Sequence, residues 1–179
     1  MNPAEDILQT LARHLEGPAH LRLFGGAALV LGYGLTRSTE DADLILDDRE
    51  VETLIEDANL GKALERANDE LRPRGLYVTH IFGPEQQILT PEWRRSCEKV
   101  DRTFGDGRLT VSVLGPLDMI VSKLARADAG DLEDIKFLVR TRSITKEMVA
   151  AAVDRATVPE VLREVFEHSK QRVLALFEA

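Results

Sequence analysis

Residues 21–46 read LRLFGGAALVLGYGLTRSTEDADLIL, and how this stretch divides decides the fold. Leu21 to Phe24 is a short apolar strand, Gly25 and Gly26 follow as a pair, and Ala27 to about Leu35 reads as an apolar helix. Thr36 to Glu40 is a polar turn, after which a second strand opens with Asp41-Ala42-Asp43. Residues two apart on a strand share a face, so Asp41 and Asp43 point the same way while Ala42 turns into the core. Two carboxylates side by side on a strand suit a hard cation. With the remaining positions left to water and phosphate oxygens, they describe a Mg²⁺ (or Mn²⁺) site. The glycine pair fits the same chemistry. Where a strand ends and a helix begins, unpaired backbone N–H groups and the helix dipole favour an anion, and absent side chains let a phosphate approach the backbone.

The order of glycine pair, helix, Arg37-Ser38-Thr39 and Asp41-x-Asp43 resembles the signature of the DNA polymerase β-type nucleotidyltransferase superfamily, in which a glycine-rich turn precedes a DxD strand. Within it, the chain looks most like small prokaryotic proteins related to the AbiEii-type toxin nucleotidyltransferases. The later stretch GPLDMIVSKLARADAGDLEDIKFLV (residues 115–139) is similar to their downstream segment, where a KL pair, here Lys123-Leu124, precedes an acidic helix with an apolar stripe. The resemblance covers roughly residues 20–140.

It implies an α/β (α+β) fold: a mixed sheet flanked by helices over residues 1–114, then a C-terminal helical bundle over 115–179 packed on that core. It also implies Mg²⁺-dependent transfer of a nucleoside monophosphate from an NTP to an acceptor hydroxyl. Asp41 and Asp43 are then the catalytic metal ligands, Gly25 and Gly26 hold the β/γ-phosphates, Arg37 and Lys123 add positive charge, and Thr39 shapes the turn or touches phosphate. Relatives of this type modify tRNA ends, other RNAs, proteins or small antibiotics, and the AbiEii-type members are toxins restrained by an antitoxin protein.

The third strand departs from this pattern. Many superfamily members carry a third carboxylate there, facing the DxD pair. Here the β-prone run Leu76 to Phe82 holds Thr79 and His80 and no acid. His80 is placed to act instead as a general base, its ordinary pKa being near neutrality. A strand-end histidine bonded to its neighbours is the plainer reading. Without a third acid, the alternative function is a catalytically decayed scaffold that serves as a binding or antitoxin module. A dinucleotide-binding turn is excluded, because GGAALVLGYG contains no G-x-G-x-x-G run.

Composition sets the outer bounds. At 179 residues, 44% hydrophobic and 30% charged, the chain is an ordinary globular protein with enough length to bury a core. A net charge of −8 argues against broad, sequence-independent nucleic-acid binding, which needs a basic surface, and tilts the acceptor towards a protein or small molecule. No apolar run reaches the roughly 18 residues that would cross a bilayer. The acidic opening MNPAEDILQT lacks a signal peptide's basic region, so a cytoplasmic protein is expected. The lone Cys97 offers no internal disulfide.

Outside the central stretch, residues 3–16 form an amphipathic helix, and Val51 to Leu71 a second one with a break signalled at Asn59-Leu60-Gly61. Trp93-Arg94-Arg95 either stacks a base or covers the core with its arginines outside. Arg94, Arg95, Arg102 and Arg108 offer a focused basic patch for an RNA end. Lys99–Phe104 and Arg108–Leu114 make a hairpin around Gly105-Asp106-Gly107. Asp131 and Asp134 share a helix face and either pair with Lys123 or Arg126 or face solvent. Thr145 caps a further helix, and a last one begins near Pro159, presenting Leu162, Val165, Phe166, Val173 and Leu176 inward.

Overall fold

A computed structural model describes residues 2–47, 49–52 and 58–177, apart from the side chains of Ala58, Thr79 and His80. In chain order the elements are α1 (Pro3–His14), β1 (Ala19–Phe24), α2 (Gly25–Tyr33), β2 (Asp41–Ile45), α3 (Ala58–Leu71), β3 (Tyr77–Phe82), α4 (Trp93–Ser96), β4 (Glu98–Phe104), β5 (Leu109–Val113), α5 (Pro116–Ser122), α6 (Ala129–Thr141), α7 (Lys146–Arg155) and α8 (Arg163–Ala175). They form two compact units, Met1–Gly83 with Glu98–Val113, and Pro84–Cys97 with Leu114–Ala179.

In the first unit the strands form, among the described residues, one mixed five-stranded sheet of order β3-β2-β1-β5-β4. β1 runs antiparallel to β2, with Leu23 opposite Leu44 and Phe24 opposite Asp43, and parallel to β5. The parallel pair β2/β3 is joined through α3, as a crossover connection requires. The predicted hairpin is β4/β5, and its Gly105-Asp106-Gly107 turn takes positive φ at all three residues. One sheet face is apolar: Leu21, Leu23, Ala42, Leu44 and Val111 are buried with Ile7, Leu8 and Leu11 of α1 and Ala63, Ala67 and Leu71 of α3.

Asn2 starts α1 by accepting from the Ala4 N–H at 2.9 Å, with Pro3 in the first helical position. The break expected at Asn59-Leu60-Gly61 does not occur, since α3 runs through it. Asn59 instead serves the corner after α1, where its Oδ1 accepts from Glu16 N–H at 2.6 Å and Gly17 N–H at 3.3 Å. The part of that expected helix at residues 53–57 lies outside the described residues.

In the second unit, Met119, Ile120, Leu124, Ile135, Leu138, Val149, Val153, Phe166 and Val173 are buried. Asp128 caps α6 and Thr145 caps α7, with the staple residues Ile144 and Val149 both buried. Val165 is 41% exposed rather than inward, because Phe166, Ser169 and Val173 form the buried stripe of α8 and Val165 falls about 100° off it. Pro84–Cys97 joins this unit for a polar reason. The buried Asp118 carboxylate accepts from Thr90 N–H at 2.8 Å and from the Ser96 hydroxyl at 2.7 Å, while Leu89 bridges Thr157.

Asp118→Ala would leave the Thr90 N–H without its acceptor, a loss of about 1–3 kcal/mol. A thermal melt several degrees lower than wild type is expected, with Asp118→Asn losing less because one acceptor oxygen remains.

Candidate active site

The site is built where β1 gives way to α2. Gly25 has φ +69°, in the left-handed region that favours glycine, and turns the chain sharply off the strand. Phe24 holds the cap position of α2 and provides no side-chain acceptor, so the helix starts with backbone N–H groups that no side chain caps. Beside it lies β2, in which Ala42 and Leu44 are fully buried while Asp41 and Asp43 are half-buried on the opposite face. The antiparallel register puts Asp43 level with Phe24, one residue before the helix.

Close approach marks both glycines. A Cβ on Gly25 would lie 3.0 Å from Asp43 Oδ2, and one on Gly26 would lie 2.8 Å from Thr39 Oγ1 and 3.4 Å from an Arg37 guanidinium nitrogen. Thr39, 9% exposed, donates its hydroxyl to Asp41 Oδ1 at 2.9 Å, with the Asp41 carbonyl at 3.3 Å. The structure thus brings Gly25, Gly26, Arg37, Thr39, Asp41 and Asp43 together, and two carboxylates beside an uncapped helix start are a donor set that suits a hard divalent cation with phosphate.

β3 borders β2 on the other side. Asp41 is level with Tyr77 and Ala42 with Val78, after which Leu44 is level with Ile81, so β3 carries one extra residue opposite Asp43. That irregularity falls at Thr79-His80; such bulges often re-aim a side chain beside an active site. His80 lies in β3, but its side chain is outside the described residues. Among the described residues, no three His, Cys, Asp or Glu side chains gather as a metal site. Tyr77, 41% exposed and in register with Asp41, was missed by sequence reasoning, because only strand register could have found it.

Two further clusters on the first unit also escaped the sequence. Arg22 donates to both Glu50 oxygens at 2.6 Å, and Glu50 and Asp47 exchange backbone hydrogen bonds of 2.8 and 3.0 Å. The signal was the Asp47-x-x-Glu50 spacing of a capping box. His20 bonds Thr110 through Nδ1 at 2.9 Å and Ser112 through Nε2 at 3.0 Å. Burial first and the Arg22 charge second push its pKa below 6.5.

Lys123 sits in the second unit, 8% exposed, with its ammonium 2.9 Å from Asp131 and 2.8 Å from Asp134. Asp131 also accepts from Arg126 at 2.9 and 3.1 Å. Burial alone would raise the Asp131 carboxyl, but the bonds from Arg126 and Lys123 outweigh it and hold the pKa below its ordinary value. Trp93 is buried with the Arg94 guanidinium 5.2 Å from its ring centre, the covering arrangement. Arg102 pairs with Glu5, and Arg108 donates to the Leu15 and Gly105 carbonyls, so both serve the first unit's own structure.

A helix opened by glycines and laid against a strand with two carboxylates on one face is the arrangement that the resemblance to polymerase β-type nucleotidyltransferases implied. A family model described as nucleotidyltransferase of unknown function (DUF6036) matches residues 4–174, and the chain belongs to that family. No curated protein and no solved structure gives a significant match. Among the described residues, no helix is long and apolar enough to cross a membrane.

Two measurements bear on these side chains. Because the folded His20 binds its proton less readily than the unfolded one, its contribution to stability is intact above pH 6.5 and declines as pH falls through the lower folded value. Urea midpoints taken between pH 7.5 and 5.5 should therefore drop more in wild type than in His20→Gln. Lys123→Met would take from the buried Asp131 and Asp134 the ammonium they share, and a destabilisation of about 3–5 kcal/mol in the same assay is expected.

Proposed function

We propose that the chain is a divalent-cation-dependent nucleotidyltransferase that moves a nucleoside monophosphate from an NTP to an acceptor hydroxyl. The acceptor oxygen bonds to the α-phosphorus, its proton passes to a base, and the bond to pyrophosphate breaks. Asp41 and Asp43 would hold Mg²⁺ or Mn²⁺, which neutralises phosphate charge and polarises the reacting phosphoryl group. The amides of Gly25 and Gly26 bind phosphate oxygens at the positive end of α2, and Arg37 adds a guanidinium over the same turn. Thr39 sets the direction of the Asp41 carboxylate. His80 is the candidate base, on the strength of its place in the strand where the superfamily resemblance implies a third carboxylate. Lys123 has its charge matched by Asp131 and Asp134, which favours a structural duty over a phosphate contact.

The observation that supports this reading best is the pairing of two half-exposed carboxylates on one face of β2 with the uncapped start of α2 at the level of Asp43. The AbiEii-like resemblance extends the proposal to a toxin neutralised by a partner protein, with a tRNA or other RNA end, a protein or a small molecule as acceptor. A second reading, a decayed scaffold used for binding, draws on the lack of a third metal-ligating side chain among the described residues.

With radiolabelled NTP and cell extract as the acceptor source, Asp43→Asn should lower transfer by about a hundredfold or more, the equivalent of roughly 3 kcal/mol. Calorimetry separates the two readings: a working site binds NTP more tightly with Mg²⁺, whereas a decayed one shows no metal-dependent binding.

A further inference from the structure

We infer that Gly26 and Thr39 form a positioning pair for Asp41, Gly26 being glycine because the Thr39 side chain that orients the carboxylate fills the space of a Cβ. The inference rests on the cation site proposed above and assigns its preorganisation to the Thr39 side chain and to the missing side chain of Gly26, a duty separate from the phosphate contact proposed for the Gly26 amide.

A glycine at a helix start has three physical explanations: a positive φ, close approach of a ligand, or close approach of the protein itself. Gly25 meets the first, with φ +69°, whereas Gly26 is absent from the positive-φ residues and its backbone would accept any side chain. The second would require open space at its α-carbon. That space is taken: a Cβ there would lie 2.8 Å from Thr39 Oγ1 and 3.3 Å from Thr39 Cβ. Real Cβ contacts do not come so close, so Thr39 would have to move.

Thr39 has little freedom to move without consequence. It is 9% exposed, and β-branching restricts its χ1. Its single hydroxyl proton lies between Asp41 Oδ1 at 2.9 Å and the Asp41 carbonyl at 3.3 Å, so the same bond closes the turn into β2 and sets the carboxylate's rotation. A carboxylate held in one rotamer before the cation arrives does not lose that freedom on binding, and outer partners of metal ligands typically govern affinity by about 10–100-fold.

The test has two arms. In a Mn²⁺ titration followed by the EPR signal of the free ion, Thr39→Val should weaken affinity about 10–100-fold, and Thr39→Ser should restore it to within a few fold. In thermal melts of the metal-free protein, Gly26→Ala should lower the Tm in the natural background and much less when Thr39→Ala is also present, a non-additive cycle. Equal losses in both backgrounds, or wild-type Mn²⁺ affinity in Thr39→Val, overturn the pairing. Wild-type Mn²⁺ affinity in Asp43→Asn points to a different fault: the cation reading fails, the positioning role falls with it, and the metal-free cycle still decides whether Gly26 is reserved for Thr39.

Discussion

The register that sets Phe24 opposite Asp43 is the constraint on which the rest of the first unit depends. β1 and β2 share a short antiparallel pairing, yet sliding it by one residue would carry Asp41 and Asp43 into the core and Ala42 to the surface. Burial prevents the slip. Leu21, Leu23, Ala42 and Leu44 have no exposure on the apolar face, where α1 and α3 supply their partners. With that face fixed, the carboxylates have nowhere to go but the other one, level with the first turn of α2. The edge contact between Phe24 and Phe82, at 5.3 Å and 83°, ties the end of β1 to β3 across β2.

Between the two strands the chain must leave the sheet and return, and glycine chemistry governs both ends of the excursion. Gly25 starts α2 in the left-handed region, and Gly34, also left-handed with φ 76°, ends it by donating to the Leu29 carbonyl, while Leu35 N–H reaches the same carbonyl at 3.1 Å. Gly32 lets α2 settle on β5, since a Cβ there would fall 2.5 Å from a Val113 methyl. At the far end of the turn that follows, the Thr39 hydroxyl reaches forward to Asp41, two residues on.

The acidic residues of this chain have separate physical fates despite looking alike in sequence. Glu50 is neutralised by Arg22 and braced by Asp47, Asp118 is a buried acceptor for a loop, and Asp131 and Asp134 surround a buried lysine. Asp41 and Asp43 differ from all of these in sharing one face of a strand at the level of a helix start that no side chain caps. That difference in surroundings, rather than carboxylate number, is what supports the role proposed for them.

The order of strands and helices, the apolar stripes, the cap at Thr145, and the shared face of Asp41 and Asp43 were all legible in the sequence. Each depends on residues within a few positions, where the periods of 2 and 3.6 and the reach of a side chain to its own backbone decide the outcome. What tertiary structure decided is everything that joins distant residues: Tyr77 level with Asp41, the bulge in β3 opposite Asp43, Arg22 on Glu50, Lys123 drawn between Asp131 and Asp134, and residues 84–97 assigned to the second unit through Asp118. A sequence states which side chains are available, but whether two of them meet depends on strand register and helix packing, which the burial of the whole core sets at once.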